Sequence, residues 1–199
     1  MAGSGRDLPE AIVYGHAVLD GSDEALAVAA RYDRDLFGQL YHRYADRLYR
    51  YALGRTRSAT TADDIVSDTM MAAMEGIHGY DPDKGSFAGW LFTIASRRII
   101  DRERKQRQFW RYLSRRPLDP IEHESALDSA LRGEQQERVR AAISRLSDRH
   151  REIVLLRYVA DLPIRDISEV LDISEGAVKM RLQRAMQQLS RELGDADDN

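Results

Sequence analysis

The apolar positions of this chain recur at helical spacing over most of its length, and no stretch alternates as a strand would. From Asp35 onward, Phe37, Leu40, Tyr41, Tyr44, Leu48 and Tyr51 follow one another every three or four residues, with Arg43, Asp46, Arg47 and Arg50 on the other side. This predicts a long amphipathic helix with a wide aromatic face. Ile65, Thr69, Met70, Ala73 and Ile77 form the stripe of a second helix, with Thr61 and Asp64 spaced as a capping box at its start and its end near Gly76 to Gly79. The segment Tyr80-Asp81-Pro82-Asp83-Lys84-Gly85 is turn chemistry. Ser86 then stands where it can cap a third helix carrying Phe87, Trp90, Leu91, Ile94 and Ala95. Residues 1–30 have weak periodicity and read as a flexible extension, with room for one short helix between Asp23 and Tyr32.

The period fades between Gln106 and Ala130, where Pro117, Pro120 and several charges predict a linker over 106–130. A second module starts near Leu131, with Val139, Ile143 and Leu146 on one helix. Ser147 and Asp148 open another, carrying Ile153, Val154, Leu156 and Tyr158. Two short helices close the module around a turn at Asp172 and Ile173. Ile164, Ile167, Val170 and Leu171 share one buried face, and Val178, Leu182, Ala185 and Leu189 share the next. Ser174 is placed to cap the last helix, with Glu175 in its first turn where negative charge suits the helix dipole. The predicted fold class is all-α: two small helical domains, 31–105 and 131–193, joined by a flexible linker, with a helix-turn-helix in the second and an acidic tail over 194–199.

The net charge of −3 argues against a nucleic-acid binder only if the charge is evenly spread. It is not. Between Arg97 and Arg116 there are nine arginines and lysines against two carboxylates, Asp101 and Glu103. On the last helix Lys179, Arg181 and Arg184 project away from the apolar stripe, where they could reach base edges or phosphates of a major groove. A helical hairpin with a solvated basic face would share this pattern. The chain has no cysteine, which excludes disulfides and thiolate metal sites and fits a reducing cytoplasm. No secretory segment or bilayer-spanning apolar run is evident, so membrane insertion is not expected. The five histidines lie in unrelated contexts, no phosphate-cradling glycine loop is present, and neither an enzymatic role nor a cofactor is expected.

The order of these pieces resembles a bacterial RNA polymerase sigma factor of the sigma-70 family, extracytoplasmic-function (ECF) type, over about Asp35 to Leu193. The run ADDIVSDT at 62–69 is similar to the family helix that docks on the polymerase clamp. GSFAGWLFTIA at 85–95, with Asp101 and Arg104 downstream, resembles the promoter-melting segment. LSDRHREIV at 146–154 and ISEGAVK at 173–179 are close to the fourth-region signatures. The resemblance implies a factor that directs core RNA polymerase to promoter DNA. One domain would read an upstream (−35) element through Ser174, Lys179, Met180, Arg181, Gln183 and Arg184. The other would read and melt a downstream (−10) element through Lys84, Ser86, Phe87, Arg97, Arg98, Arg102 and Arg104. Asp64 and Asp68 would meet the polymerase, and an anti-sigma factor between the domains is a further implied partner. Arg97, Met180 and Asp172 depart from the residues usual in the family, the first two at reading positions; Ser147 replaces a common proline but can cap its helix.

These assignments have physical support of their own. Holding melted bases costs a few kcal/mol per base unless pockets and stacking surfaces are supplied. Lys84, Ser86 and Phe87 are read as bordering such a pocket, and Arg97, Arg98, Arg102 and Arg104 as tracking phosphates. Trp90, Leu91 and Ile94 share one stripe and read as core. Asp64 suits a helix N-terminus in any case, and an acidic face also complements a basic partner. A conventional helix-turn-helix regulator with an N-terminal sensor domain is the alternative, but a sensor has no reason to carry the basic block between Gly85 and Arg104. Two loosely tethered basic surfaces would bind nucleic acid indiscriminately, so an inhibitor or the chain's own domain packing is expected to hold them.

Overall fold

The structure, a computed structural model, describes residues 21–113 and 134–194, and all its regular elements are helical. The first domain holds α1 (Asp23–Ala29), α2 (Arg34–Thr56), α3 (Ala59–Gly76) and α4 (Phe87–Leu113), with a 3-10 turn over Ile77–Gly79. The second holds α5 (Glu134–Arg145), α6 (Asp148–Val154), a π turn over Leu155–Val159, α7 (Ile164–Leu171) and α8 (Glu175–Gly194).

The first core is built from the stripes of α2, α3 and α4. Tyr44, Leu48 and Tyr51 meet Ile65, Met70, Phe87, Leu91 and Phe92, all buried. Tyr44 and Tyr80 present edge-on to Phe87 at centroid distances of 5.4 and 5.7 Å, and Tyr51 does the same to Phe92 at 5.4 Å. Tyr41 departs from its predicted stripe and is 43 % exposed, since six aromatic and leucine positions subtend more of the helix than its neighbours cover.

Three boundaries differ from the sequence reading. Ser22 caps α1, and Leu26, Ala27 and Ala30 are buried, so the first domain begins before residue 31. The cap of α3 is Ser58, whose hydroxyl accepts from the Thr61 N–H at 3.3 Å, one turn ahead of the predicted box. Helix α4 runs on to Leu113, so the expected linker starts inside a helix; the remainder of it, 114–130, lies outside the described residues, as do 1–20, 131–133 and 195–199.

In the second domain Ser147 caps α6 as predicted. The π turn then adds a residue to the helical spacing: the Ala160 N–H reaches back five residues to the Leu155 carbonyl at 2.9 Å. Leu155 and Leu156 both face inward as a result, and Tyr158 is turned out to 59 % exposure. Val139 on α5 is also exposed rather than part of a buried stripe. The two domains pack against each other, with α6 and the π turn against α2 and α7 against α4.

Candidate nucleic-acid interface

The helix-turn-helix is built from a sharp reversal between α7 and α8. Asp172 adopts the left-handed conformation (φ 51°, ψ 50°), which an aspartate tolerates better than most side chains, and the Ile173 N–H closes the turn on the Ser168 carbonyl at 3.1 Å. Ser174 caps α8, its hydroxyl accepting from the Ala177 N–H at 3.2 Å. Val178, Ala185 and Leu189 anchor α8 on α5, α6 and α7. Lys179, Met180, Gln183 and Arg184 stand exposed on the opposite face, and Arg181 is half-buried at its edge. Among the described residues no carboxylate forms an ion pair with Lys179, Arg181 or Arg184.

The start of α4 is a different environment. Ser86 accepts from the Gly89 N–H at 2.9 Å and so caps the helix as predicted, while its own hydroxyl donates to the Asp166 carboxylate of α7. The Phe87 N–H donates to Glu24 of α1 at 3.1 Å, and the Tyr80 hydroxyl donates to the Gly85 carbonyl at 3.1 Å. Phe87 is not among the residues that line the cleft beside Ser86. It is fully buried among Tyr44, Tyr80 and Trp90, because it is the first residue of the stripe that continues through Leu91 and Ala95. Lys84 is solvent-exposed and pairs with Asp81 at 3.1 Å, and that contact holds the Asp81 carboxyl below its ordinary value.

Further along α4, Arg97, Arg98, Arg102 and Arg104 are all exposed around the buried Ile99. Arg102 spans to Asp64 on α3 at 2.7 Å, so a residue expected on DNA and one expected on the polymerase neutralise each other here. Asp68 remains exposed one turn along, followed by the 56 % exposed Met71 and by Glu75. Together they form an acidic stripe with one apolar residue in it.

The residues that the sequence reading missed lie at the domain seam. Arg55 is buried, with ion-pair distances of 3.5 Å to Glu103 of its own domain and 3.6 Å to Glu152 of the other, and it donates to the Asp148 carbonyl at 3.3 Å. Ser96 donates to Glu152 at 3.2 Å. Arg47 and Arg57 donate to the carbonyls of Ala160 and Ser144. Arg151 is buried beside this group, and burial, then the charge of Arg57, lower the affinity of its guanidinium for the proton. A signal was available in the sequence: Arg55 follows Leu48 and Tyr51 on the core stripe of α2, where a charge needs a partner.

Two family models match this chain, sigma-70 region 2 over residues 40–109 and sigma-70 region 4 over residues 136–189. The ECF RNA polymerase sigma factor BldN of Streptomyces coelicolor is 32% identical over 164 residues, covering 82% of this chain; the chain spans 62% of that relative's length. The ECF sigma factor SigM of Bacillus subtilis is 30% identical over 151 residues, covering 76% of this chain and 91% of SigM. The solved structure of CnrH in complex with the cytosolic domain of CnrY superposes with a TM-score of 0.63 at 30% identity, covering 88% of this chain and 98% of that one. Both modules thus match in the same order, at the positions where the two helical domains lie. The chain belongs to the sigma-70 family of RNA polymerase sigma factors, in its ECF subfamily.

Proposed function

We infer that this chain directs core RNA polymerase to promoters and opens them, with the work divided between its domains. The exposed face of α8, whose cations form no ion pair among the described residues, supports this reading: Lys179, Met180, Gln183 and Arg184, with Arg181 at the edge and Ser174 capping the helix start, would enter the major groove. The arginines of α4 supply a phosphate track for the melted strand. Ser86 leads into it, and Lys84 flanks the loop before it. Phe87 acts by holding this loop on the core rather than by touching a base.

Asp64 and Asp68 on α3 provide an acidic face for a basic surface of the polymerase. Docking would then release Arg102 from Asp64 and turn it toward phosphate. The catalysis is the polymerase's, so the chain needs no cofactor of its own, and its place of work is the cytoplasm, with the polymerase. Among the described residues no helix is long and apolar enough to cross a membrane. The presence of both sigma-70 regions disfavours the conventional regulator with a sensor domain. CnrH forms a complex with the cytosolic domain of CnrY, and an anti-sigma factor is proposed as a partner here on that analogy.

The test is transcription in vitro by core polymerase on fragmented genomic DNA, with the starts sequenced. The wild-type chain should define one class of promoter sharing an upstream and a downstream element. Arg181→Ala with Arg184→Ala should abolish selection of the upstream element while leaving polymerase binding intact; unchanged initiation at all promoters would refute the assignment of α8.

A further inference from the structure

The outward arc of α8 is polar on both flanks and apolar at its centre. Met180 follows the buried Val178 by two residues, about 200° round the helix axis. It therefore points almost directly away from the line on which Val178, Ala185 and Leu189 hold the helix. A single apolar residue on a protein surface needs no explanation of its own. This one is 50 % exposed in the middle of the proposed reading face, with Lys179 and Gln183 on one side of it and Arg184 on the other.

The turn before it is made of small residues. Gly176 and Ala177, four and three positions earlier, are both exposed. Gly176 lies within the helix, and a Cβ added there would meet nothing nearer than the Ser174 hydroxyl oxygen at 4.0 Å. Neither a left-handed turn nor a close neighbour within the chain calls for a glycine at this position, although glycine weakens a helix relative to alanine. The clearance it leaves faces outward. Side chains on a helix lean toward its N-terminus, which carries Met180 over this same turn. Gly176, Ala177 and Met180 thus make a patch whose side chains hold no charge and no strong hydrogen-bonding group, the thioether being only a weak acceptor.

In the major groove every base edge presents hydrogen-bond donors or acceptors, and thymine alone adds a hydrocarbon group, its 5-methyl. We propose that Met180, above the clearance left by Gly176 and Ala177, reads the 5-methyl group of a thymine in the upstream element, so that one promoter position is chosen by burial of a methyl rather than by a hydrogen bond. The proposal rests on the reading of duplex DNA by α8 and adds the chemical feature selected there. Gln183 and Arg184 border the patch, and adenine and guanine are the bases that such side chains pair with bidentately, so the thymine stands beside purines. Cytosine is rejected twice over: it lacks the methyl, and its amino donor finds no strong acceptor in the thioether. The flexible, polarisable side chain of methionine can close on the methyl from more than one direction.

The test alters the DNA before it alters the protein. On a mapped promoter, each thymine of the upstream element is replaced in turn by uracil, which removes the methyl and leaves the base pair intact, and holoenzyme binding is titrated on each duplex. At one thymine the replacement should weaken wild-type binding by about fourfold, the effect of burying one methyl group. Met180→Ala, with its unfolding temperature unchanged, should bind the thymine and uracil duplexes alike. With cytosine at that position, methylation of its C5 should restore a similar factor to the wild type and none to Met180→Ala. Wild-type protein indifferent to uracil at every position would overturn the proposal, as would an upstream element that requires no thymine on either strand. So would a Met180→Ala variant that keeps the full preference for thymine over uracil. If Arg181→Ala with Arg184→Ala left promoter selection untouched, the assignment of α8 to DNA would fall instead, and the methyl reading with it.

Discussion

The outward face of α8 and the start of α4 are both proposed DNA surfaces, yet the molecule treats them in opposite ways. On α8 Lys179 and Arg184 stand in solvent, with Arg181 half-buried at the edge and no ion pair to any of them among the described residues, and the apolar residues behind them hold the helix. At the start of α4 a serine, two glycines and a backbone N–H are met by Asp166, Glu169 and Glu24. The difference shows that a surface can be fit for nucleic acid by its sequence and still be occupied by its own chain. What separates the two is pairing: the α8 cations form no described ion pair, whereas Ser86 and the Phe87 N–H at the start of α4 are already bonded to carboxylates of the same chain.

The largest effect expected from this contrast is on Phe87. If it packs the core beneath the α4 start, Phe87→Ala should cost about 3 to 5 kcal/mol of stability, by urea denaturation, and impair every function together. A stable variant defective only in opening promoters would return Phe87 to the base pocket. On the open side of the comparison, Arg184→Ala should weaken promoter binding by about 1 to 3 kcal/mol with polymerase binding and thermal stability unchanged, measured by holoenzyme titration of a mapped promoter. Equal losses on promoter and random duplex would make Arg184 a phosphate contact rather than a reader.

A smaller effect is expected at the seam. Glu152→Gln removes the charge that Arg55 and Ser96 share across the domains while leaving Arg55 its partner Glu103, so docking should weaken by about 1 kcal/mol. Proteolysis between Leu113 and Glu134 should quicken by the corresponding factor, and no change would mean that Glu152 does not hold the seam. The smallest effect concerns Asp81. Its carboxyl is held below the ordinary value, first by the hydrogen bond from Lys84 and next by that from the Asp83 N–H. A depressed carboxylate contributes stability that is present above its unfolded value and lost as pH falls through the folded one, so the loop should be insensitive to pH near neutrality and loosen only below about pH 4. Lys84→Ala should move the Asp81 titration upward, seen by NMR of its carboxyl carbon, while the α8 cations do not respond.

Much of the architecture was legible because it depends on local spacing. The helix stripes, the Ser86, Ser147 and Ser174 caps and the left-handed Asp172 all follow from residues within one turn of each other. Phe87 is instructive in the other direction. Periodicity alone sets it on the buried stripe with Leu91 and Ala95, and the pocket role attached to it ran against that pattern. Tyr158 could not be placed by a period of 3.6, because the π turn shifts the register beneath it. The seam was the least legible part. Gly89 and Asp166 lie far apart in the chain and meet only through tertiary packing, and neither has a local signature; Arg55 on an apolar stripe was the one hint that a charge from elsewhere must arrive.

The central claim, that α8 reads the upstream duplex while α4 holds the melted strand, is tested most directly by crosslinking within a promoter complex assembled with core polymerase. A photoreactive residue at Gln183 should attach to double-stranded DNA in the upstream element. The same residue at Arg98 should attach to unpaired bases or their backbone in the downstream element, on one strand only. Crosslinks from both positions to the same duplex segment, or from Arg98 to DNA that stays paired throughout initiation, would contradict the account.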